Sequence, residues 1–202
     1  MNVGNRIVLC GAIVVGLLVG PGAKLAEQIY DIDPAHSAVH FAVRHMMVST
    51  VRGTMGKVTG TVYFDEHDVT RSRVEATIDA AGIDTREPKR DEHLRSPDFL
   101  DTAKYPTITF KSKRVVKLAE DKYQVVGDLT IKGVTKEVTL DVEGVPRPFK
   151  DPFGKERMGG SAHAKINRQD FGVNFNKVMD NGGLLVGNEV DVTVDVEVVR
   201  RQ

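Results

Sequence analysis

Valine occupies every second position near the carboxyl end of the chain, where Val190, Val192, Val194, Val196 and Val198 interleave with Asp191, Thr193, Asp195 and Glu197. A period of two sends alternate side chains to opposite faces, so this segment predicts a long strand with one face buried and one in water. The pattern recurs in Val138, Leu140 and Val142 against Glu137, Thr139 and Asp141, and in Val125, Gly127, Leu129 and Ile131 against Val126, Asp128 and Thr130. Val74, Ala76 and Ile78 repeat it, as do Val39, Phe41 and Val43, and Ile108 with Phe110 after Tyr105-Pro106. Turn signals at 65–68, 119–121, Lys132-Gly133, 151–154 and Asn181-Gly182-Gly183 make neighbouring strands antiparallel. Between Thr85 and Ala103, Pro88 and Pro97 read as first-turn prolines of two short helices, an insertion placed to cap one end of the sheet.

About eight amphipathic strands without an amphipathic helix to cover them leave a sandwich or a closed barrel, and closure is favoured because it removes exposed edges. The expected fold is therefore all-β, an eight-stranded antiparallel barrel with a short helical insertion. At that size the interior either fills with side chains or holds one ligand. Its candidates are mostly Val, Ala, Gly, Ile and Leu, with no Trp in the chain, and the pattern alone does not choose between a packed valine core and an apolar cavity.

Residues 1–26 read as an export leader: Arg6, an uncharged run from Ile7 to Val19, then the breaker Pro21-Gly22. The run is shorter than the roughly 20 residues a spanning helix needs. Cleavage after either Ala23 or Ala26 leaves the site poorly marked. No linker or repeat divides residues 27–202, which form one expected domain. The single cysteine, Cys10, lies inside the leader run and reads as a small hydrophobe, so the mature chain has neither disulfide nor thiol nucleophile. With 28 basic and 28 acidic residues, no overall field draws in nucleic acid.

Ordered segments then become familiar: His36-Ser37, Phe41 and His45; Gly82-Ile83-Asp84-Thr85 leading into Arg90-Asp91-Glu92-His93-Leu94; and Ser96-Pro97-Asp98-Phe99-Leu100. They continue through Tyr105 to Phe110, Gly127 to Val134, Asn167-Arg168-Gln169-Asp170-Phe171-Gly172, and Val186 to Val190. The chain resembles the YceI-like family over nearly all of its mature length. The resemblance implies a lipocalin-like barrel that binds polyisoprenoids or other long amphiphiles, usually in the bacterial periplasm and often as a dimer. Phe175 departs from the pattern, standing where Trp is more usual, which keeps an apolar wall and loses an indole donor.

A hydrocarbon ligand needs an apolar tunnel and a few polar groups at its mouth. At about 0.3 kcal/mol per heavy atom, a chain of about 40 atoms reaches on the order of 12 kcal/mol, or nanomolar affinity. The tunnel candidates are Val39, Phe41, Val43, Ile78, Phe99, Ile108, Phe110, Leu129, Ile131, Phe171 and Phe175; the mouth candidates are His36, His45, Arg90 and His93. Guanidinium groups in the insertion suit a phosphate or pyrophosphate head, although interleaved acids equally suit a solvated helix face. Polyprenyl phosphate, isoprenoid quinone, fatty amide and fatty acid all remain open as ligand. A homodimer and transient membrane contact complete the expected partners; no cofactor is expected.

Catalysis and metal binding find less support. His36 and His40 share one strand face and His45 the other, so the first strand cannot converge three imidazoles on a metal. Ser37 follows His36 directly, no nucleophile elbow is present, and Gly159-Gly160-Ser161 lacks phosphate-loop spacing and reads as a turn. A pair of carboxylates for glycoside hydrolysis is not excluded by sequence, but nothing focuses it. The expectation is a binding protein and not an enzyme.

Overall fold

The computed structural model describes residues 27–144, 147–180 and 182–202; the leader expected over residues 1–26 and Asn181 of the last turn signal lie outside them. The strands are β1 (Gln28–Ile32), β2 (Ala38–His45), β3 (Ser49–Thr54), β4 (Val58–Phe64), β5 (Arg73–Asp79), β6 (Thr107–Ala119), β7 (Lys122–Ile131), β8 (Val134–Glu143), β9 (Phe149–Lys150), β10 (Glu156–Asn167) and β11 (Val186–Arg200), with one α-helix, α1 (Pro88–Arg95). All pairings are antiparallel. β11 pairs with β10 along one edge and with β1 and β2 along the other, closing the sheet into an eight-stranded barrel.

Two of the eight staves are broken. β1 and β2 run along the same edge of β11, interrupted where Asp33 donates its N–H to Glu197 O (2.8 Å) and Ser37 Oγ donates to the same carbonyl. β3 and β4 form the facing stave, pairing with β2 and β1 in turn. β1, β3, β4, β9 and β10 were not among the sequence-predicted strands. Gly159-Gly160-Ser161, expected as a turn, lies inside β10, where Gly160 pairs with Val196. The helix expected at Pro97 is a run of turns instead, with Phe99 N–H bonded to Ser96 O and Asp101 N–H to the same carbonyl.

The insertion is held by its own polar groups. Pro88 opens α1, and Glu87 caps it by accepting from the Lys89 N–H. Buried Asp91 accepts from the Thr85 N–H (2.9 Å) and Oγ1, tying the helix to the chain that precedes it. Arg95 donates to Ala81 O (2.7 Å) and Ile83 O (2.9 Å). These bonds hold Ile83, Leu94, Phe99 and Leu100 over one open end of the barrel, where buried Phe99 joins Ala80, Ile108, Ile131, Phe171 and Val173 in one apolar cluster. At the far end a second cluster forms around Tyr30, Ile32, Val39, Val58, Phe64, Met158 and Val198, with Val69 of the 3-10 turn Val69–Arg71 packed against it.

Candidate functional site: an apolar tunnel

The interior of the barrel is hollow. Val192, Val194 and Val196 point inward yet are only half-buried, as are Ala162 and Ala164 on β10 and Ala76 on β5. Two chambers of about 180 and 220 Å³ adjoin inside the barrel and share Val39 and Ile78 as lining residues. A third space of about 360 Å³ opens beside the cap and shares Phe41, Val43, Leu94, Phe99 and Val186 with the nearer chamber. Together they reach the size range of small-molecule pockets. This geometry decides the question the strand pattern left open: the interior is a cavity and not a packed valine core.

Side-chain size explains the void. The middle belt is furnished by Val, Ala and Gly, and its two phenylalanines fold over cross-strand glycines. A Cβ on Gly53 would stand 2.6 Å from Phe41 Cζ, and one on Gly127 would stand 2.7 Å from Phe110 Cζ. Only glycine permits so close an approach.

The sequence-predicted tunnel residues all line this space. Val39 and Ile78 face both chambers; Ile108, Leu129, Ile131 and Phe171 face the nearer one; Phe110 faces the farther; and Phe41, Val43 and Phe99 face the nearer chamber and the mouth. Phe175 stands at the mouth with His93 and Phe99, in ring contacts of 4.8 to 4.9 Å. His45, Arg90 and His93 also line the mouth.

His36 does not. It lies exposed in the turn between β1 and β2, its Nδ1 2.9 Å from Asp33 Oδ2. Arg90 reaches the mouth, but its guanidinium is engaged by Thr85, donating to Oγ1 (2.7 Å) and to the carbonyl (3.0 Å). Its role is therefore first that of a staple within the insertion. His93 Nε2 lies 3.0 Å from Asp98 Oδ2.

Sequence reasoning missed Arg168. It is buried, lines the nearer chamber, and donates to Val173 O (2.6 Å), Gly187 O (2.9 Å) and Asn188 Oδ1 (3.2 Å). Burial lowers its pKa from the ordinary arginine value, and carbonyl dipoles stand in place of a counter-ion. The family-like Asn167-Arg168 pair was the only signal for it. Ile83, Leu94 and Leu100 of the cap, and Arg44 and Lys177 at the mouth, were missed as well.

Among the described residues, Asp33, His36 and Glu197 are the one acid-and-histidine group with metal-like spacing, their atoms within 4.8 Å. Arg157 already fills its centre: Nη1 donates to Asp33 Oδ2 (2.9 Å) and to Glu197, and Nε donates to Asp151 Oδ2 (2.7 Å). An arginine so placed supplies the positive charge a cation would bring.

The fold and site define a class: a closed antiparallel barrel with capped, adjoining apolar chambers and a polar mouth. The chain belongs to the YceI-like domain family, whose description it matches over residues 30–198. It is 38% identical over 196 residues to Protein YceI of Escherichia coli O157:H7, covering 96% of this chain and 98% of that one. BcnA of Burkholderia cenocepacia superimposes with a TM-score of 0.70 at 26% identity, covering 82% and 98% of the two chains. A polyisoprenoid-binding domain from Saccharophagus degradans shares the fold, with a TM-score of 0.60 at 14% identity over 85% and 98%.

Proposed function

We propose that the protein is a non-catalytic carrier of a long-chain lipid, with a polyisoprenoid as the ligand class that fits best. The observation that carries this reading is the series of adjoining apolar spaces, sharing lining residues from the mouth through both chambers. The fold-mate from Saccharophagus degradans is described as polyisoprenoid-binding, which agrees with it. A polar head would rest at the mouth among Arg44, His45, His93 and Lys177 while the tail follows the valine belt. That mouth lining holds no serine or cysteine to act as nucleophile. The same proposal includes export to the periplasm and a homodimer, readings that the leader pattern and the family resemblance support.

The test is native mass spectrometry of protein purified without detergent, followed by solvent extraction and identification of the released molecule. A stoichiometric isoprenoid is the expected outcome. A fatty acid or fatty amide in its place would keep the carrier and change its ligand. Protein that emerges empty and fails to take up added isoprenoid or fatty chains would overturn the reading.

A further inference from the structure

The mouth is rimmed by an apolar tip that nothing inside the barrel accounts for. The β2–β3 turn places Met46 and Met47 in its two central positions, with φ of 51° and 63° and the Val48 N–H bonded to His45 O. This mirror-image turn takes Asn-Gly or Asp-Gly by preference, because both centres have positive φ. Positive φ at both turn centres also occurs between β7 and β8, where Lys132-Gly133 has φ values of 49° and 76°. Two methionines in such a turn cost backbone strain, and local rules are broken in this way mostly where function requires it.

The strain holds large apolar side chains out in water: Met46, Met47 and Val48 are 42, 57 and 79% exposed. A second tip stands beside them. Met46 N–H donates to Leu185 O (2.8 Å), which pins the turn to the small hairpin in which Val178 bridges to Leu184 and is itself 73% exposed. Positive charge sits directly behind both tips. Arg44 donates to Met47 O (2.7 Å) and Thr50 Oγ1 (3.1 Å), so uncharged groups hold it and its charge remains uncompensated by them. Lys177 lies exposed at the foot of the second hairpin. Arg44 and Lys177 also line the mouth.

We propose that this rim docks the barrel, mouth first, on a bilayer surface bearing anionic phospholipid heads. The methionines and valines enter the head-group layer while Arg44 and Lys177 meet phosphate, the pairing of apolar area with positive charge that interfacial binding requires. The inference rests on the carrier reading, for a tail too apolar to cross water must pass directly between tunnel and bilayer. The rim lies where that exchange would occur.

The test uses the Met46→Asn/Met47→Gly double variant, which removes the apolar tip and gives the turn its preferred residues, so folding is not put at risk. Flotation with vesicles of equal parts phosphatidylcholine and phosphatidylglycerol should show at least about a tenfold loss of binding relative to the parent chain. The denaturation midpoint should hold or rise, and co-purified lipid should be unchanged. Parent binding should weaken in high salt and be far poorer on phosphatidylcholine alone. Equal binding of variant and parent would overturn the proposal, as would equal binding to the two vesicle types. A parent dimer that becomes monomeric in the variant with vesicle binding intact would overturn it too, assigning the tip to contact between copies. A chain that docks on vesicles but carries no lipid would instead break the carrier reading, so the two failures are distinguishable.

Discussion

The floor of the barrel and its middle belt are built from the same strands and reach opposite outcomes. At the floor, Tyr30, Val58, Phe64, Met158 and Val198 are 0 to 5% exposed, and the Tyr30 and Phe64 rings meet edge to face with centroids 6.1 Å apart. The Tyr30 hydroxyl donates to Glu156, and burial with that neighbouring carboxylate pushes its pKa well above the ordinary phenol value. One layer up, β10 contributes Gly160, Ala162 and Ala164 where the floor has Met158, and β11 contributes Val192, Val194 and Val196. The alternation continues unbroken while the volume falls away. Binary pattern thus dictates that a barrel forms; side-chain size, layer by layer, dictates where it is solid and where it is hollow.

The largest expected effect comes from giving the belt the volume of the floor. Val192→Trp projects an indole into the nearer chamber, which a chain must cross to reach the farther one. Lipid affinity should fall at least about 100-fold, since the contacts of the far chamber are lost with the passage. The fold should survive, because the ring enters empty space instead of a packed core. Extracted lipid per mole of protein measures the first, and a denaturant titration of lipid-free protein the second. A Trp variant that retains its full complement of lipid would place the ligand outside this tunnel.

Cutting both regions down gives the next effect in size and makes the comparison quantitative. Phe64→Ala should cost about 3–5 kcal/mol, for it removes a ring from a packed cluster. Val194→Ala should cost less than about 1 kcal/mol, because the methyls lost already face a void. Urea midpoints of the two lipid-free variants decide this, and equal losses would mean that the belt is packed after all.

The same contrast sets what could be read before the structure. Strands β2, β5, β6, β7, β8 and β11 were legible because large apolar side chains alternate with polar ones in each. β10 was not, because the hollow belt demands glycine and alanine at its inward positions and the pair Gly159-Gly160 then imitates a turn. The feature that makes the cavity is thus the one that erased the strand from the pattern. Parity also located the strand-borne lining, from Val39 through Ile131, and separated inward His45 from outward His40. Assigning His36 to the pocket followed family likeness instead and failed. Cap residues such as Ile83, Leu94 and Leu100 obey no period, and only tertiary bonds such as Arg95 to Ala81 and Ile83 bring them over the opening. The buried Arg168 was hidden for a similar reason, its partners being backbone carbonyls that leave no mark in sequence.

The smallest effect belongs to the floor end alone, where His36 joins Asp33, Arg157 and Glu197 on the outer face. The hydrogen bond that His36 donates to Asp33 raises the His36 pKa, helped by the charges of Asp33 and Glu197 and opposed by Arg157. Asp33 is held below the usual carboxylate range by His36 and Arg157 together. A raised histidine contributes stability that is complete below its unfolded pKa of about 6.5 and is lost as pH rises through the folded value. A depressed aspartate contributes stability that is complete above about 3.9 and is lost as pH falls. The cluster therefore supports the fold best in the mildly acidic range between these limits, and stability should decline slightly from about pH 6 to 8. His36 is exposed, so water and salt keep this contribution small. His36→Ala should flatten the decline in thermal midpoint across that range, and added salt should flatten it in the parent chain. Lipid retention should follow neither change, since the pair is remote from the tunnel. A slope that persists unchanged in His36→Ala would assign the titration elsewhere, and lipid loss tracking it would couple the floor to the belt that this geometry keeps apart.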